Sequence, residues 1–134
     1  MKHNGVDWSL LRGVLGLGAL LIWSGPTLAE GDAKNGDSLY GVYCAGCHFV
    51  HKAMGKSVGP NLSGVLGRKA GTFPGYSYSS AMRSAAFVWT EALLMRYLAS
   101  PEALVPANIM AFYGFADGKE RRDVIAYLKS QQGK

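Results

Sequence analysis

Cys44-Ala45-Gly46-Cys47-His48 decides how the rest of this chain is read. The 134-residue sequence has 2 cysteines, and both lie in this run with a histidine directly after them. Thiols at that spacing reach one side of a short turn. They can form thioether bonds to the vinyl groups of a haem, which puts the next imidazole under the iron as an axial ligand. Other readings of the pair fit less well. A thioredoxin-like redox pair sits at a strand-to-helix junction in a βαβ pattern, and the sequence carries none. A structural zinc site needs four nitrogen or sulfur ligands. The nearby set of Cys44, Cys47, His48 and His51 cannot easily converge on one tetrahedron. A disulfide would close a loop too short for ordinary helical geometry. The run predicts one covalently attached haem c, and the cofactor carries the chemistry.

Upstream of that run the chain reads as a targeting segment. Lys2 and Arg12 supply positive charge, Val14 to Trp23 is apolar, and Ser24-Gly25-Pro26 breaks the run. Thr27-Leu28-Ala29 then offers small residues at the positions a signal peptidase reads. The apolar run falls short of the roughly 20 residues of a comfortable membrane span. The alternative is an uncleaved anchor. Few residues separate Ala29 from the first helix signal at Asp32, however, and an anchored carrier would need a longer tether. The expected organisation is a cleavable signal peptide over 1–29 and one haem domain over 30–134. Export to the periplasm agrees with haem c, whose attachment is normally made outside the cytoplasm.

The full chain has a formal charge of +5, from 14 basic and 9 acidic residues. Loss of Lys2, Arg12 and Asp7 with the leader leaves the rest one unit less positive. That mild charge suits an acidic or membrane-bound protein partner. A nucleic-acid role lacks the basic stripe interleaved with aromatics that it would need.

The remainder reads as short helices and long loops, an all-α chain without strand patterns. Asp32 caps a helix from Ala33 to Tyr43, with Gly36, Tyr40 and Tyr43 at roughly helical spacing. Gly55 to Gly75 is dense in Gly, Pro and Ser and reads as loop. A short helix is expected near Ser79 to Ala86. Thr90 caps another from Glu91 to Ala99, ended by Pro101. Pro101 to Phe115 reads as irregular. Asp117 with Glu120 opens a last helix from Lys119 to Ser130, buried on Val124, Ile125, Tyr127 and Leu128. So few short helices make a modest core, and a large central ligand would supply the missing apolar contact.

An iron held by His48 needs an assignment on its other side. His3 lies in the leader, and His51 is one turn from His48 and cannot cross the ring. Lysine is a rarer ligand. Met54 follows the attachment run too closely, and Met82 and Met95 fall in helical patterns as core packing. Met110 sits in the irregular segment after Pro101 and Pro106, where a loop can wrap the far face and present a thioether. A thioether is a soft donor that raises the potential, and two occupied axial positions leave no place for a reactant. This pattern favours a carrier over an enzyme.

From about Asp32 to Gln131 the chain resembles class I c-type cytochromes of the mitochondrial-like bacterial type. The matching segments include Gly31-Asp32, the attachment run, Gly59-Pro60-Asn61-Leu62, Gly67-Arg68-Lys69, Pro74 to Tyr78, Trp89, Tyr97-Leu98, Pro106 to Met110 and Asp123 to Leu128. The resemblance implies the family's fold, with helices and loops wrapped around one haem. It implies that the Pro60 carbonyl supports His48, and that Arg68, Tyr78 and Trp89 surround a buried haem propionate. It also places the Tyr97 hydroxyl near the Met110 sulfur, packs Gly36 and Tyr40 against Tyr127, and sets Phe112 beside the exposed haem edge.

The chain departs from the family at several points. Pro106-Ala107-Asn108-Ile109-Met110 replaces the usual Pro-Gly-Thr-Lys-Met, and Met82 replaces a common asparagine. Tyr43, Ser57, Glu102, Ala103 and Ile109 stand where lysines are frequent. Leu104, Val105, Ala107, Ile109, Ala111, Phe112 and Tyr113 make the rim apolar instead. Docking is therefore expected to depend more on apolar contact than on charge steering.

The expected function is that of an exported, soluble, monomeric single-haem electron carrier. Its partners are redox protein complexes: a quinol-oxidising cytochrome complex or dehydrogenase as donor, an oxidase or reaction centre as acceptor, each met by transient docking at a membrane complex. The rival readings are a dedicated electron-transfer subunit of one oxidoreductase, and a haem enzyme or gas sensor with a labile Met110 bond.

Overall fold

Four polar side chains start most of the helical structure. The structure, a computed structural model, describes residues 30–134, so the expected leader lies outside the described residues. Asp32 Oδ1 accepts the Lys34 and Asn35 backbone N–H groups at 2.9 and 3.2 Å and opens α1, Ala33–Tyr43. Ser79 caps α2, Ser80–Ser84, and Thr90 caps α3, Glu91–Tyr97, each by a 3.2 Å bond to the third residue on. Asp117 accepts from Lys119 at 2.7 Å and opens the last helix, Gly118–Ser130. Each cap satisfies a donor that the first turn of a helix leaves free, stabilising by about 1 kcal/mol.

Three boundaries differ from the sequence reading. α2 stops at Ser84 because Ala85 turns extended and the following residues pair with the loop before it. Ala70 donates to the Phe87 carbonyl and Trp89 to the Arg68 carbonyl, both at 2.9 Å, around the isolated antiparallel bridge Lys69–Val88. α3 stops at Tyr97, after which the Ala99 N–H returns to the Arg96 carbonyl at 3.2 Å and the Leu98 carbonyl accepts the Phe115 N–H at 2.7 Å. Pro101 to Phe115 is not wholly irregular. Pro101–Leu104 forms a short α4, capped by the Ser100 hydroxyl on Ala103 N–H at 3.3 Å. Proline ends α3 but is well suited to the first helical position, where no N–H is required. With that element in place the last helix is α5.

α1 and α5 cross at a glycine. A Cβ on Gly36 would lie 2.0 Å from the Asp123 carbonyl oxygen and 2.9 Å from the Tyr127 Cβ, so the two backbones meet where a side chain would otherwise stand. The Tyr40 and Tyr127 rings close the crossing at 5.1 Å. Leu94 and Tyr97 of α3, Leu98 just after it, and Val124, Ile125 and Leu128 of α5 are buried in one core with Tyr40 and the loop residues Val50, Val65, Val105 and Phe115. Each fully buried aliphatic side chain contributes about 1.5–3 kcal/mol. A patterned face thus becomes the wall of a central cleft.

The crossing also buries a carboxylate. Asp123, 1 % exposed, accepts the Asp32 N–H at 2.8 Å, the Asn35 side-chain amide at 2.7 Å and the Lys119 ammonium at 2.6 Å. Burial pushes its pKa up, but these hydrogen bonds and the Lys119 charge outweigh it and hold the carboxyl down to about 2, against an ordinary 3.8. A carboxylate depressed in the folded state stabilises above its ordinary pKa, and that contribution fades as pH falls through the folded value. The expected size is on the order of 1 kcal/mol, discounted because the Lys119 side faces solvent. Asp123→Asn should therefore melt about 4–8 °C below the parent at pH 7, with the gap narrowing between pH 4 and pH 2. Melting curves that stay parallel through that window would refute the linkage.

Candidate functional site

Cys44 ends α1 as its C-cap, and the chain then turns tightly. His48 N–H and Cys47 N–H both return to the Cys44 carbonyl, at 2.9 and 3.0 Å, and the Tyr40 hydroxyl donates to the His48 carbonyl. The turn aims Cys44, Cys47 and His48 into one cleft. Neither cysteine is in a disulfide.

The histidine is held from behind. Its Nδ1 lies 2.7 Å from the Pro60 carbonyl, which can only accept, so Nδ1 carries the hydrogen and Nε2 keeps its lone pair. Burial lowers the His48 pKa and the bond to Pro60 partly opposes it, so the neutral, donor form is favoured. A Cβ on Gly59 would stand 2.5 Å from His48 Cε1 and 2.7 Å from Nδ1, so the ring occupies space that any other residue at 59 would fill. Asn61 is fully buried behind them. Its amide donates to the His51 and Gly55 carbonyls at 2.9 and 2.8 Å and accepts the Ser63 N–H at 2.7 Å. Sequence reasoning gave Asn61 no role, because a single loop asparagine does not reveal which distant carbonyls it will tie.

The same cleft collects Pro60, Arg68, Tyr78, Trp89, Tyr97 and Met110. Arg68 is half-buried and donates to the Asn61 and Ser63 carbonyls at 2.8 and 3.0 Å, with its guanidinium 5.2 Å from the Phe73 ring centroid. Burial lowers its pKa, and Tyr78 nearby opposes that. The Tyr78 hydroxyl accepts the Phe73 N–H at 3.2 Å. Trp89 packs edge-on against Tyr97 at 4.9 Å. The Tyr97 hydroxyl, its pKa pushed up to about 12 chiefly by burial, lies 3.9 Å from Met110 Sδ.

Two methionines line this cleft. Met82 is buried in α2 as part of the core, whereas Met110 is partly buried and carried on the loop after α4. Met54 is half exposed and His51 exposed, and both border a different groove. Of the rim named from sequence, Val105 is buried and Leu104 partly so, packing under the loop. Phe112 is also partly buried, 4.9 Å from Phe115. Ile109 and Tyr113 stand 65 % and 99 % exposed, with Tyr43 at 56 % and Val58 at 74 %.

Ala107 is the one non-glycine among the described residues with positive φ, at 62°. For an L-residue with a Cβ that conformation costs roughly 1–2 kcal/mol. A glycine at this position would not bear that cost, so the loop carrying Met110 is under local backbone strain in this chain.

These residues suit a flat, largely apolar ligand with polar edges and a metal centre. They supply two thiols, an imidazole with a free Nε2, a thioether and a half-buried guanidinium around mostly apolar walls. The cytochrome c family model matches residues 33–132. The chain belongs to the cytochrome c family. It is 46 % identical to cytochrome c of Sesamum indicum over 99 residues, covering 74 % of this chain and 89 % of the relative. It is 41 % identical to cytochrome c2 of Rhodomicrobium vannielii over 117 residues, or 87 % and 93 %. With cytochrome c of Chlamydomonas reinhardtii the identity is 43 % over 106 residues, or 77 % and 95 %. Membership brings one covalently attached haem c, and the two cysteines of this chain fit that attachment. It also brings the family's all-α architecture, seen here in five α-helices and one short 3-10 helix, Lys52–Met54, among the described residues.

Proposed function

We propose that this chain is an exported electron carrier in which Cys44 and Cys47 bind the haem covalently and His48 and Met110 ligate its iron. The observation that carries the reading is the convergence of the attachment run and Met110 on one cleft. Haem c in such a site supplies a one-electron ferric–ferrous couple. The protein's part is to hold the donors still and keep water out. Pro60 fixes the His48 tautomer, Tyr97 sits against the Met110 sulfur, and Trp89, Leu94 and Leu98 dry the interior. Arg68, Tyr78 and Trp89 would hold a propionate, whose burial requires such partners. A site with imidazole and thioether donors both engaged leaves no room for a reactant, so the chain acts as carrier rather than catalyst.

Cleavage after Ala29 would release residues 30–134 to the periplasm. Donor and acceptor would be membrane or periplasmic redox complexes, docking at the rim of Tyr43, Val58, Ile109 and Tyr113. Such a rim gives affinity through apolar contact, with weaker steering by charge.

The test is the oxidation rate of the reduced, haem-loaded protein by a purified oxidase or reaction centre as salt rises. One-electron transfer is expected, with a rate changing less than about threefold across one Debye-screening regime. A steep fall with salt would remove the apolar-docking reading. Rapid binding of carbon monoxide at neutral pH would replace the carrier with a sensor or enzyme.

A further inference from the structure

We propose that Glu102 is a positioning residue for the Met110 thioether, clamping through both carboxylate oxygens the loop that carries it. The inference rests on the reading of Met110 as an iron ligand. Glu102 Oε1 accepts the Ala107 N–H at 2.9 Å, and Oε2 accepts the Asn108 side-chain amide at 3.1 Å. The same amide donates to the Val105 carbonyl at 3.1 Å, and Asn108 Oδ1 accepts the Met110 N–H at 2.9 Å. An unbroken chain of hydrogen bonds thus runs from a carboxylate on α4 to the backbone of the residue that presents the sulfur.

Glu102 is exposed, and an exposed carboxylate is ordinarily a solvated charge. Both of its oxygens are used here, and on adjacent residues. One of them accepts from Ala107, the residue held in the left-handed region at φ 62°. The bond to that N–H opposes the tendency of Ala107 to relax, and the bond to Asn108 fixes which end of the amide faces Met110. α4 itself, absent from the sequence reading, is what brings Glu102 within reach. A lysine at 102 could make neither bond, since an ammonium only donates.

The clamp predicts how easily the loop opens. Exogenous imidazole enters the iron's sixth position only when Met110 has left, so its apparent affinity reports the open fraction. In the ferric, haem-loaded protein, Glu102→Ala should tighten imidazole binding by roughly fivefold to tenfold, the effect of losing two modest hydrogen bonds. Glu102→Gln keeps an acceptor for Ala107 but turns an amide donor toward Asn108, and should fall between parent and alanine variant. Adding Ala107→Gly to Glu102→Ala should recover part of the loss, because glycine takes a positive φ without strain. Amide exchange at Ala107 and Met110 should quicken in step. Unchanged imidazole affinity in Glu102→Ala overturns the clamp, as does tighter binding with unaltered exchange at those two amides. Met110→Ala separates the two levels. If it tightens imidazole binding while Glu102→Ala does not, the clamp alone fails. If Met110→Ala also leaves the affinity unchanged, the ligand reading fails.

Discussion

Replacing Met110 by alanine is expected to lower the midpoint potential of the haem-loaded protein by roughly 0.2 V, part of the ~0.8 V that axial ligands command. The physical reason is donor softness. A thioether stabilises the ferrous state relative to harder donors, so water or hydroxide in its place favours the ferric state. The sulfur-to-iron charge-transfer band should vanish, and carbon monoxide should bind the ferrous protein readily. Met82 is the proper control because it lines the same cleft. It is 8 % exposed and built into α2, so Met82→Ala should act through packing. A cost of about 2–5 kcal/mol in stability is expected, with a much smaller change in potential. A potential that moves with Met82 and not with Met110 would transfer the ligand role to α2 and sink the assignment of the loop.

The second large effect concerns the sign of a glycine substitution. Gly36 and Gly41 lie in the same helix, five residues apart. Helix propensity alone predicts that alanine at either site stabilises by about 1 kcal/mol. Packing reverses the sign at Gly36. A new Cβ there would lie 2.0 Å from one Asp123 backbone atom and 2.5 Å from another, and backbone cannot rotate away as a side chain can. Gly36→Ala must therefore push α1 from α5, opening the contact that buries Tyr40 and Asp123. The expected cost is about 3 kcal/mol, at the upper end for overpacking and a large fraction of a small domain's stability. The melting temperature should fall by roughly 12–24 °C. Nothing lies within 4 Å of a Cβ at Gly41, so Gly41→Ala should hold or raise it. Equal behaviour of the two variants would mean that the crossing is looser than its geometry indicates.

These effects differ in how far the sequence could foresee them. The family resemblance places Gly36 against Tyr127, yet the backbone atom that a Cβ there would meet first belongs to a residue 87 positions away. Asp123 was read only as part of a matching segment. Its role as the carboxylate joining Asp32, Asn35 and Lys119 arises because α5 lies across the start of α1. α4 was missed because a proline that ends one helix carries no mark that it begins the next. Only the Ser100 cap, three residues ahead of Ala103, could have suggested it.

Local chemistry was set by the sequence alone. The attachment run, the four cap residues at Asp32, Ser79, Thr90 and Asp117, and the apolar faces of α3 and α5 depend on neighbours a few residues apart, within one turn of chain. Tertiary structure decided which distant groups share the cleft: that the Pro60 carbonyl backs His48, that Tyr97 meets the Met110 sulfur, and that Glu102 reaches Ala107 and Asn108. The reason is that a hydrogen bond or a steric contact between separate loops depends on where the packed helices bring them. That placement is fixed by burial summed over the whole core and is encoded at no single position.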